Sequence, residues 1–178
     1  SVGVMQVDVK ALDVDFAVGG MLKYLLGTAG IGFLYVREGC IPQLTPKASG
    51  WFAQADVDAM DVSRNVPSPT ARRFQAGTPP VPNCYAALAG LDIILQLGST
   101  AIETYVRELT GRCMDRLLEA GCRLATPRED SRRGPTVAIC SSNDVELTAR
   151  LAERNGITSC RDGHLRAMFH AYNDESDV

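Results

Sequence analysis

Two short apolar runs open the regular part of the chain. "DFAVGG" (15–20) and "IGFLYVRE" (31–38) are bounded by glycine and charge, and predict buried strands. Residues 39–82 hold most of the prolines and no period, which predicts a long loop; loops of that length in compact chains usually serve a function. "NCYAALAGLDIILQLG" (83–98) is apolar on nearly every face. It predicts a helix buried on all sides, with Asn83 at its N-cap and Gly98 as its stop. Thr100 and Glu103 have the spacing of a capping box, and Ile102, Val106, Leu109, Cys113 and Leu117 then recur at helical spacing up to Gly121. "CRLATP" (122–127) and "TVAIC" (136–140) predict strands. Asn143 and Glu146 suggest a second capping box, on a helix that closes near Gly156. "GITSC" (156–160) and "LRAMFHAY" (165–172) predict two more strands, and "NDESDV" (173–178) the start of a helix. Residues 99–178 thus read as a small α+β unit, with a boundary near Gly98 closing a first part of residues 1–98.

Composition narrows the classes of function. The chain has 178 residues, 46% hydrophobic and 22% charged, with a net charge of −3, an ordinary globular make-up. No basic run could track a phosphate backbone, so nucleic acid is not the expected partner. No apolar run is long enough to span a bilayer, and a membrane is not expected either. Six cysteines form no CxxC and only two histidines are present, which leaves no zinc-ligand spacing; no metal is expected. Cysteines in apolar segments fit a reducing, cytoplasmic setting. The opening "SVGVMQVDVKAL" reads as the middle of a strand and loop. It predicts that the chain is the later part of a longer protein.

Four stretches could carry chemistry. Lys23 is the one charge between Asp15 and Arg37, in a connection rich in glycine. Either its stem packs while the amine reaches water, or it is a reactive amine able to form a Schiff base. Gly50-Trp51 holds the single tryptophan. "RRFQAGTPP" (72–80) joins two arginines to a Gly77-Thr78 turn, where close backbone approach and a hydroxyl suit a phosphate; a plain Gly-Thr-Pro turn reads the same way. "GHLRAMFHAYND" (163–174) sets Arg166 in an alternating strand beside Met168 and His170. Its guanidinium suits a substrate carboxylate, or else a structural ion pair or a face in water.

Taken in order, "DFAVGGMLKYLLGTAGIGFLYVRE", "GW", "RRFQAGTPP", "AALAGLDIILQLG" and "GITSCRDGHLRAMFHAYNDESDV" resemble the C-terminal half of the class V aminotransferase family. That family includes cysteine desulfurases, selenocysteine lyases, kynureninases and isopenicillin N epimerases. The resemblance implies an α/β fold: the later part of a fold-type I pyridoxal-phosphate (PLP) transferase large domain, followed by a small α+β C-terminal domain. It implies pyridoxal 5'-phosphate as cofactor, an amino-acid substrate attacked at Cα, and a homodimer with shared sites. By the same resemblance Lys23 holds the cofactor as an internal aldimine and acts as base. Gly77 and Thr78 meet the cofactor phosphate, across a subunit boundary. Trp51 lies near that phosphate, Tyr24 packs, and Arg166 binds the substrate carboxylate. Two departures stand out. The family's N-terminal half, with its aspartate under the pyridine nitrogen and its ring-stacking residue, has no counterpart here, so a non-catalytic remnant is the alternative. A desulfurase's nucleophilic cysteine would have to be Cys160, six residues before Arg166, whose other reading is a packed strand cysteine.

Overall fold

The computed structural model describes residues Ser1–Val178, which divide into two compact units: Val7–Ile93, and Ser1–Gln6 together with Ile94–Val178.

In the first unit, β1 (Phe16–Gly20) and β2 (Gly32–Val36) pair antiparallel, Phe16 opposite Val36 and Gly20 opposite Gly32. Their connection is a compact turn. The Met21 N–H donates to Ile31 O and the Gly27 N–H to Met21 O, and Leu26 takes a positive φ of 56°. This turns Met21 and Leu25 inward, onto Ala87 of α1 (Val81–Leu97), with Ile31, Phe33 and Leu91 packed around them. Gly90 makes that contact possible. A Cβ there would sit 2.4 Å from the Leu25 carbonyl oxygen.

α1 differs from the enclosed helix expected. It starts two residues before Asn83, whose side-chain amide donates to the Ala29 carbonyl and does not cap. One side packs, through Ala87 and Ile94, while Tyr85 and Leu88 are 72% and 55% exposed. Hydrophobicity on every face told of an apolar helix, not of which faces this chain covers.

The long loop is organised by 3-10 turns at Glu38–Gln43, Trp51–Ala53 and Ala71–Phe74, and by a bridge between Gln54 and Pro67. Arg73 binds three carbonyl oxygens, of Ser68, Ile41 and Leu44, and Arg72 binds those of Phe52 and Ala55. The pair of arginines beside the Gly-Thr turn therefore serves the loop and not an anion. Backbone without a ladder still needs partners, and two guanidinium forks supply them.

In the second unit, α2 (Ser99–Glu119) buries Ile102, Val106, Leu109 and Cys113, as its period predicts. A three-stranded antiparallel sheet follows in the order β3 (Thr136–Cys140), β5 (His164–Met168), β4 (Ser159–Arg161), with α3 (Asp144–Ala152) between β3 and β4 in sequence. Val137 and Leu165 are buried on the sheet's inner face, alongside Phe169 just past β5. "CRLATP" gives one bridge, Leu124 to Ile139, in place of a full strand. Neither expected capping box forms. Gly98 stands at the α2 N-cap; Thr100 Oγ1 accepts from the Gln6 amide side chain, and Glu103 from the Gln6 backbone N–H. Asn143 Oδ1 accepts from the Ser141 hydroxyl and leaves α3 without a side-chain cap. The capping box that does form is at Asp174, on the short 3-10 turn Glu175–Asp177.

Candidate active site

Lys23 lies in the β1–β2 connection. Because Met21 and Leu25 take the inward positions, Leu22 and Lys23 point out; Lys23 is exposed and its amine makes no hydrogen bond or ion pair. The connection thus leaves the amine outside any apolar enclosure built by this chain's own residues. What the turn does supply is a fixed backbone under a free amine.

Gly50 packs against the backbone of Ala76. A Cβ on Gly50 would fall 1.7 Å from the Ala76 carbonyl oxygen, so only glycine allows the approach. The contact joins two of the predicted stretches, Gly50-Trp51 and Ala76-Gly77-Thr78, which are far apart in sequence. Gly77 and Thr78 are exposed, open space surrounds the Gly77 Cα, and the Thr78 hydroxyl has no partner. Trp51 is half exposed, and its indole N–H donates to Val57 O at 2.6 Å. This hydrogen bond closes a loop whose groove, about 810 Å³, is lined by Trp51, Val57, Met60, Val62 and Val66 among others. Lys23, Gly77 and Thr78 do not line it. On its rim, the Ser63 hydroxyl, and then Arg64, hold the Asp61 carboxyl below the usual carboxylate range.

In the second unit, the register sets Arg166 between Ala138 on β3 and Ser159 on β4. Alternation from the buried Leu165 puts Arg166 on the opposite face of the sheet, in the central strand. Arg166 is half-buried and makes no hydrogen bond or ion pair. The structural ion pair considered for it does not occur in this chain. The "HAYND" part of the motif is architecture. His170 is 3% exposed; its Nδ1 accepts from the Ala171 N–H, its own N–H donates to Asn173 Oδ1, and its ring stacks on Tyr172 at 4.7 Å. The Tyr105 hydroxyl on α2 then donates to Asn173 O at 2.8 Å. Cys160, in the middle of β4 and opposite Leu165, shares the face of the buried residues.

Reading motifs along the chain missed the Gly50–Ala76 approach, for which no local signal exists. It also passed over Asp162-Gly163, a readable turn: both residues have positive φ, 52° and 72°, and join β4 to β5.

Two groups of the first unit fit pyridoxal phosphate: Lys23 offers a free amine that suits its aldehyde, and Thr78 a free hydroxyl that suits its phosphate. In the second unit, Arg166 offers an unpaired fork that suits a carboxylate.

Comparison with known proteins gives the same direction. The model of the family described as aminotransferase class-V matches residues 1–178. An uncharacterized aminotransferase of Bacillus subtilis is 33% identical over 179 residues, covering 100% of this chain and 46% of its own. A kynureninase of Deinococcus radiodurans is 34% identical over 158 residues, 86% of this chain and 38% of its own. The apo structure of a cysteine desulfurase from Thermococcus onnurineus superposes with a TM-score of 0.88 at 26% identity, covering 99% of this chain and 47% of that one. The chain spans about half the length of the curated relatives it matches. Its fold is that of the matched part of a cysteine desulfurase, as the resemblance implied. With the family model matched from the first residue to the last, the chain belongs to the class V aminotransferase family.

Proposed function

We propose that the protein is a pyridoxal-phosphate enzyme that breaks a bond at the Cα of an amino acid, with Lys23 as its cofactor-bearing residue. One observation carries the reading: the single charge of the β1–β2 connection is held on an ordered turn with its amine free of any partner. A lysine fixed at its backbone and free at its end can bond to an aldehyde carbon and later take or return a proton at Cα.

Pyridoxal phosphate, when bound, supplies an electron-withdrawing ring that draws charge from Cα. The chain's own residues do the rest. Thr78 donates its hydroxyl to a phosphate oxygen, on a turn that Gly50 holds in place. The exposure of that turn favours delivery to a second subunit, so we infer a homodimer. Arg166 grips the substrate carboxylate with two N–H groups and so fixes the orientation of Cα. Cys160 faces the packed side of the sheet, which weighs against a sulfur-carrying role.

The test is a Lys23→Arg protein of full natural length. It should fold with the thermal midpoint of cofactor-free wild type and fail to retain pyridoxal phosphate covalently. Retention equal to wild type would reject the assignment.

A further inference from the structure

We propose that Ser159 is a positioning residue for Arg166: its hydroxyl accepts an N–H of the guanidinium when the fork engages a carboxylate. This rests on the reading of Arg166 given above and names a second residue for the same subsite.

One anomaly lies beside an unpaired cation in the sheet. The Ser159 Oγ is buried and has no hydrogen-bond partner. Arg166, a half-buried residue, has no hydrogen bond or ion pair, and its guanidinium nitrogens are not among the buried atoms left unpaired. The register makes them direct cross-strand neighbours on one face, where Cβ atoms lie about 5 Å apart. A buried hydroxyl left unpaired is uncommon and costs stability, so its retention calls for a state in which it is paired. Arg166 has five N–H donors and a bidentate carboxylate takes two. The remaining donors then need acceptors, and Ser159 is the directly opposed residue that carries one. Ala138, the neighbour on the other flank, offers no side-chain acceptor. Thr158, the other buried hydroxyl without a partner, lies outside β4 and is not registered with Arg166.

The consequence is specific. Ser159 should contribute to binding only when a carboxylate is present, and nothing to the fold. Wild-type, Ser159→Ala, Ser159→Thr and Arg166→Ala proteins of full natural length are titrated calorimetrically. The ligands are L-alanine, L-cysteine and L-phenylalanine, each against the amine that lacks its carboxylate. Ser159→Ala should lower the preference for amino acid over amine about ten- to a hundredfold, the value of one hydrogen bond to a charged group. Amine affinity should not move, the thermal midpoint should hold or rise because a buried unpaired hydroxyl is removed, and Ser159→Thr should keep the full preference. Arg166→Ala should lose most of the preference, and adding Ser159→Ala to it should cost nothing more.

If Arg166→Ala loses the preference while Ser159→Ala keeps it, the role of Ser159 is overturned and the reading of Arg166 survives. If Arg166→Ala keeps the preference, or wild type has none on any pair, both fall. A Ser159→Ala protein that fails to fold, or loses amino acid and amine equally, gives the hydroxyl a structural duty and overturns the proposal.

Discussion

Arg73→Ala should loosen the loop that carries Trp51 while leaving the helices intact. The Arg73 Nε donates to Ser68 O at 2.7 Å, and Nη1 donates to Ile41 O at 2.6 Å and Leu44 O at 2.7 Å. Each hydrogen bond from a charged donor nets about 1.5–3 kcal/mol, and carbonyls stranded in a part-buried loop add to the loss. Bonds from one side chain do not sum, and water reaches part of the cluster. The expected local cost is therefore about 3–4 kcal/mol. At about 1.4 kcal/mol per factor of ten, amides protected by this loop should exchange on the order of a hundredfold faster or more. The reporters are the N–H groups of Ala53, Ala55 and Ser68, which donate to Gly50, Val66 and Ala53 carbonyls. Hydrogen exchange read by mass spectrometry compares peptides over 50–70 with peptides of α2 as internal reference. Arg73→Lys should recover part of the protection, because one ammonium cannot span three carbonyls in the fork's geometry. Unchanged exchange at 50–70, or an equal rise in α2, would refute the clamp.

Gly50→Ala should separate the Trp51 segment from the Ala76–Thr78 turn, since its Cβ would overlap the Ala76 carbonyl. A loss of about 1–3 kcal/mol or more in denaturant unfolding, with weaker retention of pyridoxal phosphate, is expected; retained wild-type stability would show that the approach is not required. The Gln6 backbone N–H holds the Glu103 carboxyl below its usual range against the opposing effect of burial, with Arg107 adding to the lowering. A depressed carboxylate gives stability that is present above its unfolded value and lost as pH falls through the folded one. Protection of the Gln6 amide, measured as exchange relative to the intrinsic rate at each pH, should accordingly fall on acidification below the ordinary glutamate range. In Glu103→Gln that pH dependence should disappear, and a pH profile unchanged from wild type would count against the contact. Cys160→Ala, on the packed face of the sheet, should keep most of the turnover of its substrate; loss of sulfur release from cysteine, with cofactor retained, would instead mark Cys160 as a nucleophile.

Where period alone decides, the fold was legible. Phe16–Gly20 and Gly32–Val36 stand as strands because glycine bounds short apolar runs, but not as the buried strands expected, since Phe16, Val18 and Leu34 are exposed; the α2 stripe from Ile102 to Cys113 is buried as its spacing requires. Caps were less legible, for a physical reason. Thr100 and Glu103 have the right spacing for each other, but Gln6, brought in from the start of the chain, takes both. Local motifs compete with tertiary partners that no local window contains. The same holds for Arg72 and Arg73, whose neighbours in sequence suggested an anion and whose neighbours in space are carbonyls. Of the proposed site, the assignments of Lys23, Gly77, Thr78, Trp51 and Arg166 came from motif resemblance. The Gly50–Ala76 approach and the Ser159–Arg166 pairing required coordinates, since each depends on which backbones meet.

The central claim is that Lys23 carries the cofactor. Protein of full natural length, loaded with pyridoxal phosphate and reduced with borohydride, is digested and its peptides mapped by mass. The account predicts the pyridoxyl group on Lys23, in the peptide that includes "GGMLKYLLG", with Lys10 and Lys47 unmodified. A pyridoxyl group found on Lys10 or Lys47, with Lys23 unmodified, would contradict it.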